Sequence, residues 1–292
     1  MTRMRSLLFV PGDSERKLAK SEGIPADVLI LDLEDSVASA NKEQARGLVC
    51  EYLAQRDQSS STQVWVRMNS IGHGEAGADL AAVMPARPDG IMLPKTRSPN
   101  DVELLGRHIG TYEAEHEIKV GSTRILPVAT ETPQSLFTLG EYAQCGKRLA
   151  ALTWGAEDLS AALGAISCRD DQGNWTEPYR LVRSLCLFAA HAAEVEAIDT
   201  LFADFRDNEG LERSCAEARR DGFSGKLAIH PGQVEVINRA FTPSAEELHK
   251  ARRIVELFEA HPEAGTLSLD GVMVDLPHLV QARKTLSQAE GE

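Results

Sequence analysis

The sequence predicts an α/β protein, a (β/α)₈ TIM barrel with a C-terminal helix–hairpin–helix extension. Three observations predict it: eight short apolar segments recur along the chain, a helix-like segment follows each of them, and polar residues concentrate where the apolar segments end. Strands this apolar are buried on both faces, as in a parallel sheet covered by helices. Eight strand–helix repeats are typical of a closed barrel, and a doubly wound open sheet is the alternative.

The predicted strands and helix boundaries can be read in chain order. Asp13 or Ser14 can cap the first helix, Ser98 opens a later one, and Thr132 opens the helix after the fifth strand. Gly222 can end the helix before the last strand, since glycine is favoured just after a helix C-terminus. The strands are Ser6–Pro11, Val28–Leu33, Gln63–Asn69, Gly90–Lys95, Arg124–Thr130, Leu149–Gly155, Glu196–Thr200 and Gly225–Pro231.

The last part of the chain departs from this repeat. Ser244 and Glu247 form a capping-box pattern that opens an amphipathic helix. Asp270-Gly271 then stands between two short alternating runs, which is a strong signal for a β-hairpin. A final helix begins at about Pro277. A helix, a hairpin and a helix after a completed barrel form an appendage.

The predicted organisation is therefore one catalytic barrel followed by an extension. The 292 residues contain no repeats, low-complexity tracts or proline-rich linkers. In this interpretation residues 1–240 form the barrel and residues 241–292 form the extension. We expect the extension to pack on the barrel mouth or on a neighbouring subunit.

Charge and cysteine content limit the class of protein. The formal net charge of −13 disfavours a nucleic-acid partner, because phosphate binding needs a basic surface, although a local basic patch can still bind a small anion. The five cysteines are scattered and never in C-x-x-C spacing, which favours reduced thiols over disulfides or a zinc site. The N-terminal segment is too short for a signal peptide, and no apolar run approaches the ~20 residues of a membrane span. We expect a cytoplasmic protein with no membrane partner.

Two acids stand at the ends of apolar runs. Glu131 follows Arg124–Thr130, and Asp158 follows the run that ends in Gly155. In a barrel the carboxyl ends of all strands surround one cavity. Mg²⁺ usually takes one or two carboxylates and keeps waters or substrate oxygens as its other ligands. The pair predicts a Mg²⁺ site, although Asp158 alone could simply cap the following helix.

Further polar residues fall at the carboxyl ends of other predicted strands: Asp32, Glu34, Asp35, Arg67, Asn69 and Lys95. Singly, such residues are often solvated, but converging acids need a cation or protons to hold them together. Arg67 is the predicted anion anchor, because its planar fork matches a carboxylate better than a lysine does. A salt bridge from Arg67 to Glu34 or Asp35 is compatible with that role, since it would orient the guanidinium.

The first strand–helix loop is a candidate phosphate site. It combines a tight turn and a predicted helix N-terminus with the basic residues Arg16 and Lys17. His230, at the last strand end, either lines the site or is structural. No Ser/His/Asp or Cys/His constellation is legible in the sequence. The arrangement favours Lewis-acid chemistry at a carbonyl over nucleophilic catalysis.

Nearly the whole chain resembles the HpcH/HpaI aldolase and citrate lyase β-subunit (CitE-like) superfamily, close to its citramalyl-CoA and malyl-CoA lyase branch. Trp154 is a departure, where many relatives have phenylalanine, and we expect it to alter pocket size and acid preference. The matching segments occur in the expected order and are Leu8–Pro11, Asp32–Val37 followed by Lys42 and Arg46, Val66–Asn69, Gly90–Lys95, Glu131-Thr132, Gly155–Leu159, Gly225–Gln233 and Val272–Pro277.

The resemblance implies a barrel that assembles into homotrimers or hexamers and binds Mg²⁺ through Glu131 and Asp158. It also implies that a C-terminal aspartate from a neighbouring subunit completes the site, and Asp275 matches that motif. The catalytic residues implied are Arg67, Asp275, Glu34 and Asp35. The substrate contacts implied are Arg67, Asp32, Gly155, Ala156 and Glu157. Charge and loop position, rather than the resemblance, indicate Arg16 and Lys17 as coenzyme A contacts, with Lys42 and Arg46 as further candidates.

The resulting hypothesis is a Mg²⁺-dependent carbon–carbon lyase. It would reversibly cleave a carboxylated 3-hydroxyacyl-CoA, of the malyl-CoA or citramalyl-CoA type, into acetyl-CoA and a small 2-keto acid. Arg67 would offset charge on the thioester enolate, and Asp275 is the candidate acid/base. Four alternatives stay open: hydrolysis of a malyl-CoA-type thioester, a citrate lyase β-subunit that acts on an acyl-carrier protein, a CoA-free aldol reaction, and a non-catalytic acyl-CoA-binding protein.

Overall fold

Eight parallel strands with helices around them form the body of the protein, in a computed structural model that describes residues 3–57 and 59–289. Hydrogen-bonded neighbours run in the order β5-β4-β3-β2-β1-β8-β7-β6. The two end strands also meet, because Ile125 N donates to Arg148 O at 2.8 Å and Ala129 N donates to Thr153 O at 2.8 Å. The sheet is therefore closed, and the predicted (β/α)₈ barrel is confirmed.

The strands begin where the sequence predicts, within two residues. Most end earlier than predicted, because the chain leaves the ladder to form the loops that carry the polar residues. The barrel strands are β1 (Ser6–Pro11), β2 (Val28–Asp32), β3 (Gln63–Arg67), β4 (Gly90–Leu93), β5 (Arg124–Pro127), β6 (Ala151–Thr153), β7 (Glu196–Asp199) and β8 (Gly225–Ala228).

The helices follow the strands and cover the barrel. After β5 the chain makes two 3₁₀ turns, Pro133–Phe137 and Leu139–Gln144, in place of a regular α-helix. The α-helices are α1 (Glu15–Ser21), α2 (Lys42–Gln55), α3 (Ala76–Val83), α4 (Pro99–Glu115), α5 (Glu157–Leu163), α6 (Glu177–Ala192), α7 (Asn208–Asp221), α8 (Val234–Phe241), α9 (Ala245–Ala260) and α10 (Leu276–Ala289). Across the described residues, no helix combines the length and apolar character needed to cross a membrane.

Alternate strand residues divide the core into two layers. Leu7, Ile30 and Trp65 belong to the cluster that fills the barrel, whereas Leu8 and Leu31 belong to the larger cluster between the strands and the helices. This alternation follows from the two-residue period of a strand, whose successive side chains point to opposite faces. Both layers are apolar, which explains why the strand sequences show continuous hydrophobic runs.

A buried ionic network crosses the outer layer. Lys226 Nζ lies 2.6 Å from Asp199 Oδ2, and Arg183 Nε lies 3.3 Å from Asp199 Oδ1. Trp154 Nε1 donates to the same Asp199 Oδ1 at 2.8 Å. The Trp154 side chain is fully buried in the outer layer. The indole of Trp154 therefore faces the helices, and an effect of Trp154 on pocket size and acid preference stays a prediction.

The extension has the predicted helix–hairpin–helix form. Ser244 and Glu247 close a capping box at the start of α9, and strands β9 (Thr266–Leu269) and β10 (Val272–Asp275) pair antiparallel. The hairpin packs mainly on α9 and α10. Arg3, which precedes β1, donates to the carbonyls of Gln288 and Ala289. The end of α10 thus lies at the side of the barrel where the strands begin.

Replacing Lys226 by methionine should destabilise the protein. The change leaves the buried carboxylate of Asp199 with one fewer cation, and breaking a buried ion pair in this way costs about 3–5 kcal/mol. Chemical denaturation monitored by circular dichroism measures the free energy of unfolding. Lys119→Met, at an exposed position, is the matched control and should stay within about 0.5 kcal/mol of the wild type. Equal stabilities for the two variants would contradict a structural role for the network.

Candidate active site

Arg67 is fixed at the carboxyl end of β3 by two acids of the neighbouring β2 loop. Its Nε donates to Asp32 Oδ1 at 2.7 Å, and its Nη2 donates to Asp32 Oδ2 at 2.6 Å. Nη1 lies 3.0 Å from Glu34 Oε2. The guanidinium also stacks 4.7 Å from the centre of the Phe9 ring. A bidentate pair of this kind fixes direction as well as charge.

The protonation states of this pair follow from burial and mutual attraction. Burial raises the pKa of Asp32, but the hydrogen bond and charge of Arg67 outweigh burial and hold that pKa below its usual range. Burial has the opposite effect on the cation and lowers the pKa of Arg67. The hydrogen bond and charge of Asp32 and the charge of Glu34 outweigh burial, so the pKa of Arg67 is raised. Both groups stay charged. Arg67 is therefore a permanent, oriented cation at the rim of the barrel.

Lys95 connects acids that follow three different strands, β2, β5 and β6. It lies just beyond β4 with a left-handed backbone (φ 53°), which is uncommon for a residue other than glycine. Its backbone N–H donates to Glu131 Oε2 at 2.5 Å. Its Nζ binds Glu34 and Asp35, and lies 3.6 Å from Asp158 Oδ1. Burial lowers the pKa of Lys95, and the contacts to Glu34 and Asp35 outweigh burial and raise it.

The sequence predicts Lys95 at the end of a strand but does not indicate what its side chain contacts. The available signal was its position at the carboxyl end of a predicted strand, beside four acids at other strand ends. What the sequence does not indicate is the left-handed backbone, which directs the main-chain N–H to Glu131 while the ammonium reaches the acids of the β2 loop.

Glu131 and Asp158 come together because β5 and β6 are neighbours in the closed barrel. Glu131 is 6% exposed, and burial raises its pKa to about 8. A Cβ atom on Gly155 would lie 2.8 Å from Glu131 Cγ, so only glycine leaves room for this carboxylate. Asp158 lies in the first turn of α5. A buried carboxylate with a raised pKa gains most from a nearby cation.

This donor set fits a hard divalent cation such as Mg²⁺. Both donors are carboxylates, and Mg²⁺ is commonly bound through one or two protein carboxylates with other oxygens completing the octahedron. Across residues 3–57 and 59–289, no group of three or more His, Cys, Asp or Glu side chains forms a denser metal site. Such a site is what a transition metal held only by protein would need.

The other predicted substrate contacts surround this pair. Gly155 N donates to Thr130 Oγ1 at 3.1 Å, Ala156 is buried, and Glu157 is exposed at the start of α5. Both oxygens of Asp32 are engaged, by Arg67 and by the backbone N–H groups of Glu34 and Ser36. These contacts support Arg67 and the loop, and a contact between Asp32 and substrate stays a prediction.

The predicted phosphate-binding residues border a separate cavity beside the rim. Arg16 and Lys17 are exposed on α1 and line a cavity of about 610 Å³ between β1, α1 and the end of β8. His230 lines the same cavity and stacks on Phe205, with ring centres 4.8 Å apart. Its Nδ1 accepts a hydrogen bond from Gly232 N at 3.1 Å, so Nε2 is the ring nitrogen left for other partners.

Asp275 is not brought to the rim of its own barrel. It ends β10, and its Oδ1 lies 2.5 Å from His278 Nδ1. This contact lowers the pKa of Asp275. The neighbouring side chains of Val272, Met273 and Leu276 are exposed by 66%, 60% and 53%. Within one chain, Asp275 therefore stands beside an exposed apolar surface.

The fold and the rim define the class: a barrel enzyme with a carboxylate metal site and a fixed arginine for an anion. The chain belongs to the HpcH/HpaI aldolase/citrate lyase family, whose profile matches residues 5–231. The prediction of a lyase-class enzyme is confirmed at the level of that family.

Individual relatives cover almost the whole chain. A mitochondrial citramalyl-CoA lyase of Rattus norvegicus is 33% identical over 98% of this chain and 86% of its own length. A (3S)-malyl-CoA thioesterase of Cereibacter sphaeroides is 34% identical over 98% and 94%. The β subunit of citrate lyase from Escherichia coli K12 is 34% identical over 98% and 93%.

A solved relative has the same fold. The CitE protein of Mycobacterium tuberculosis, in complex with magnesium, acetoacetate and coenzyme A, superposes with a TM-score of 0.80 at 32% identity, over 99% of this chain and 98% of that one. Magnesium is part of that complex, so the predicted cofactor is confirmed at the level of this structural relative.

Glu131→Gln should weaken Mg²⁺ binding at least about tenfold, because the amide keeps the shape of the side chain but removes the charge that a hard cation prefers. Isothermal titration calorimetry with MgCl₂ measures the affinity without any substrate. Glu141→Gln, an exposed glutamate on the second 3₁₀ turn, should bind as the wild type does. Wild-type affinity in Glu131→Gln would remove Glu131 from the ligand set.

Proposed function

We propose that this protein is a Mg²⁺-dependent carbon–carbon lyase that cleaves a carboxylated 3-hydroxyacyl-CoA of the malyl-CoA or citramalyl-CoA type into acetyl-CoA and a 2-keto acid. The observation that carries the proposal is one rim that presents a fixed Arg67 beside the carboxylate pair Glu131 and Asp158. The similarity to a citramalyl-CoA lyase over 98% of the chain supports the same reaction class.

Glu131 and Asp158 would hold the Mg²⁺ ion. When bound, the ion supplies Lewis-acid polarisation of a carbonyl or hydroxyl oxygen, which offsets developing negative charge. Glu131, held by the Lys95 backbone N–H, is the better oriented of the two. Lys95 balances the acids of the β2 loop, so the rim does not carry several unpaired carboxylates.

Cleavage requires a proton to leave and an electron pair to be accepted. A base takes the proton of the 3-hydroxyl group, the C2–C3 bond breaks, and its electron pair moves to the thioester as an enolate. The protonated base then returns the proton to C2, which yields acetyl-CoA and the keto acid. General base catalysis of this kind contributes about 10²–10⁴-fold. Arg67 offsets the enolate charge, an oxyanion-type contribution of about 3–4 kcal/mol.

The cavity beside α1 is the proposed place for coenzyme A. It opens near the rim and is bordered by the exposed cations Arg16 and Lys17. Two cations match the phosphate groups of the coenzyme, and the Phe205–His230 stack provides a flat aromatic surface next to them. A CoA thioester bound there would direct its acyl end toward Arg67.

We propose Asp275 as the acid/base, supplied by a neighbouring subunit of a homotrimer or hexamer. Three features support a role in a second subunit: Asp275 ends a hairpin, it lies away from its own rim, and exposed apolar residues flank it. An apolar surface of this kind on a rigid hairpin is typical of a protein interface. The contact with His278 lowers the pKa of Asp275, which keeps its carboxylate ionised but also makes it a weaker base than a free aspartate.

A second candidate is hydrolysis of the thioester of a malyl-CoA-type acid. The similarity to a (3S)-malyl-CoA thioesterase over 98% of the chain favours it. The same rim would then position water against the thioester carbonyl, and no carbon–carbon bond would break. The two candidates differ in their products.

Incubation of the purified protein with Mg²⁺ and malyl-CoA or citramalyl-CoA should release acetyl-CoA and glyoxylate or pyruvate, identified by mass spectrometry. EDTA should abolish turnover, and excess MgCl₂ should restore it, because the substrate oxygens need the cation. Free CoA together with the intact hydroxy acid would instead identify a thioesterase. No turnover of either thioester would contradict both candidates and shift the assay to carrier-protein or CoA-free substrates.

Mixing two inactive variants should restore activity if Asp275 serves a neighbouring subunit. The Arg67→Ala variant has a defective rim but keeps Asp275 on its hairpin. The Asp275→Asn variant keeps an intact rim but lacks the acid on its hairpin. After co-refolding at equal amounts, roughly a quarter of the sites in a cyclic assembly would combine an intact rim with an intact Asp275. The specific activity of the mixture measures this. An inactive mixture, with both variants assembled by light scattering, would place Asp275 in its own subunit.

A further inference from the structure

A buried lysine lies behind the acidic loop and takes no part in the proposed chemistry. Lys42 opens α2 and is 8% exposed. Its Nζ donates three hydrogen bonds, to Leu33 O at 2.8 Å, to Glu34 O at 3.0 Å and to Asn69 Oδ1 at 2.7 Å. An ammonium group has three donors, so these contacts use all of them.

The position of Lys42 contradicts two local rules. The first turn of a helix favours acidic residues, because the helix dipole is positive there. A buried lysine also normally has an acid as its direct partner, and the three acceptors of Lys42 are neutral. Sequences that break local rules do so mainly at functional or strained sites. We therefore attribute the buried position of the Lys42 ammonium to its hydrogen bonds with the Leu33 and Glu34 carbonyls.

The contacts of Lys42 continue into a buried polar chain. Asn69 Nδ2 donates to Leu33 O at 3.1 Å and to Asp79 Oδ2 at 2.7 Å. Asp79 is fully buried, and its Oδ1 accepts from Arg46 Nη1 at 3.2 Å. Arg46 also binds Glu75 at 2.6 Å. The chain joins the end of β3, α2 and α3 behind the β2 loop.

The loop that Lys42 holds carries the acids that orient Arg67. Glu34 binds Arg67 Nη1 through its side chain, while its carbonyl accepts from Lys42. Asp32 binds the other edge of Arg67 and caps the backbone N–H groups of Glu34 and Ser36. Fixing the Leu33 and Glu34 carbonyls therefore fixes the side chain that aims the guanidinium.

We propose that Lys42 is a positioning residue: it holds the Leu33–Glu34 backbone so that Glu34 orients Arg67 for the substrate anion. Lys42 acts through Glu34 and does not touch substrate. Lys42 and Arg46 are both engaged by protein groups. The consequence for catalysis rests on the proposed lyase function, whereas the consequence for the loop does not.

Hydrogen–deuterium exchange tests the loop without substrate or metal. In Lys42→Met, peptides that cover residues 33–37 should exchange at least about tenfold faster than in the wild type, because the loop opens locally. Lys226→Met is the matched control, a second buried lysine that lies in the outer layer between β7 and β8. It should lower the melting temperature and leave exchange of residues 33–37 at the wild-type rate. Wild-type exchange in Lys42→Met would overturn the proposal.

Kinetics of the double variant separate positioning from simple stability. Lys42→Met should lower kcat/KM about 10- to 100-fold, the usual effect of losing a group that orients an active-site residue. If Lys42 acts through Glu34, Lys42→Met/Glu34→Gln should be little worse than Glu34→Gln alone. Lys226→Met should keep kcat/KM within about twofold and combine additively with Glu34→Gln.

The outcomes distinguish this proposal from the lyase proposal. Fast loop exchange with additive kinetics would reduce Lys42 to a structural residue and overturn its positioning role. If the wild type cleaves no thioester, the lyase proposal fails, and the exchange experiment alone still supports or overturns the link between Lys42 and the loop.

Discussion

The site depends on the closure of the barrel between β5 and β6. In the order of paired strands these two lie at opposite ends, so an open sheet would separate Glu131 from Asp158 by its full width. A few backbone hydrogen bonds close the gap, among them Ile125 N to Arg148 O and Ala129 N to Thr153 O. Closure also seats Gly155 against Glu131, where a side chain would collide. The carboxylate pair is thus a consequence of topology, and the alternative of an open doubly wound sheet would have had no such site.

The second constraint is charge balance at the rim. Glu34 and Glu131 are buried, and together with the more exposed Asp35 and Asp158 they would repel one another without nearby cations. Lys95 contacts all four, three through its ammonium and one through its backbone N–H. To make these contacts, the backbone N–H of Lys95 must point to Glu131 while its side chain extends to Glu34 and Asp35. The left-handed backbone of Lys95 provides this, and strain of that kind is typical of functional sites.

The sequence predicted the architecture well because its signals are local. Apolar runs mark the strands, the Ser244–Glu247 capping box marks α9, and Asp270-Gly271 marks the hairpin. The acids at strand ends were also legible, since the barrel brings all carboxyl ends to one rim. The sequence does not predict which way the side chains at the strand ends point. Trp154 faces the helices because it falls on the outward phase of β6, and one residue of register decides that phase.

The rim of a single chain also indicates why the extension matters. Among the described rim residues, Asp32 is held by Arg67, Glu34 by Arg67 and Lys95, and Asp35 by Lys95. The cations Arg67 and Lys95 outweigh burial and hold the pKa of Asp32 and of Asp35 below its usual range, so both are poor bases, whereas burial raises the pKa of Glu34. Glu131 and Asp158 are the proposed ligands of the cation. We propose that the hairpin, which carries an ionised aspartate beside an exposed apolar surface, supplies the proton acceptor to a second chain.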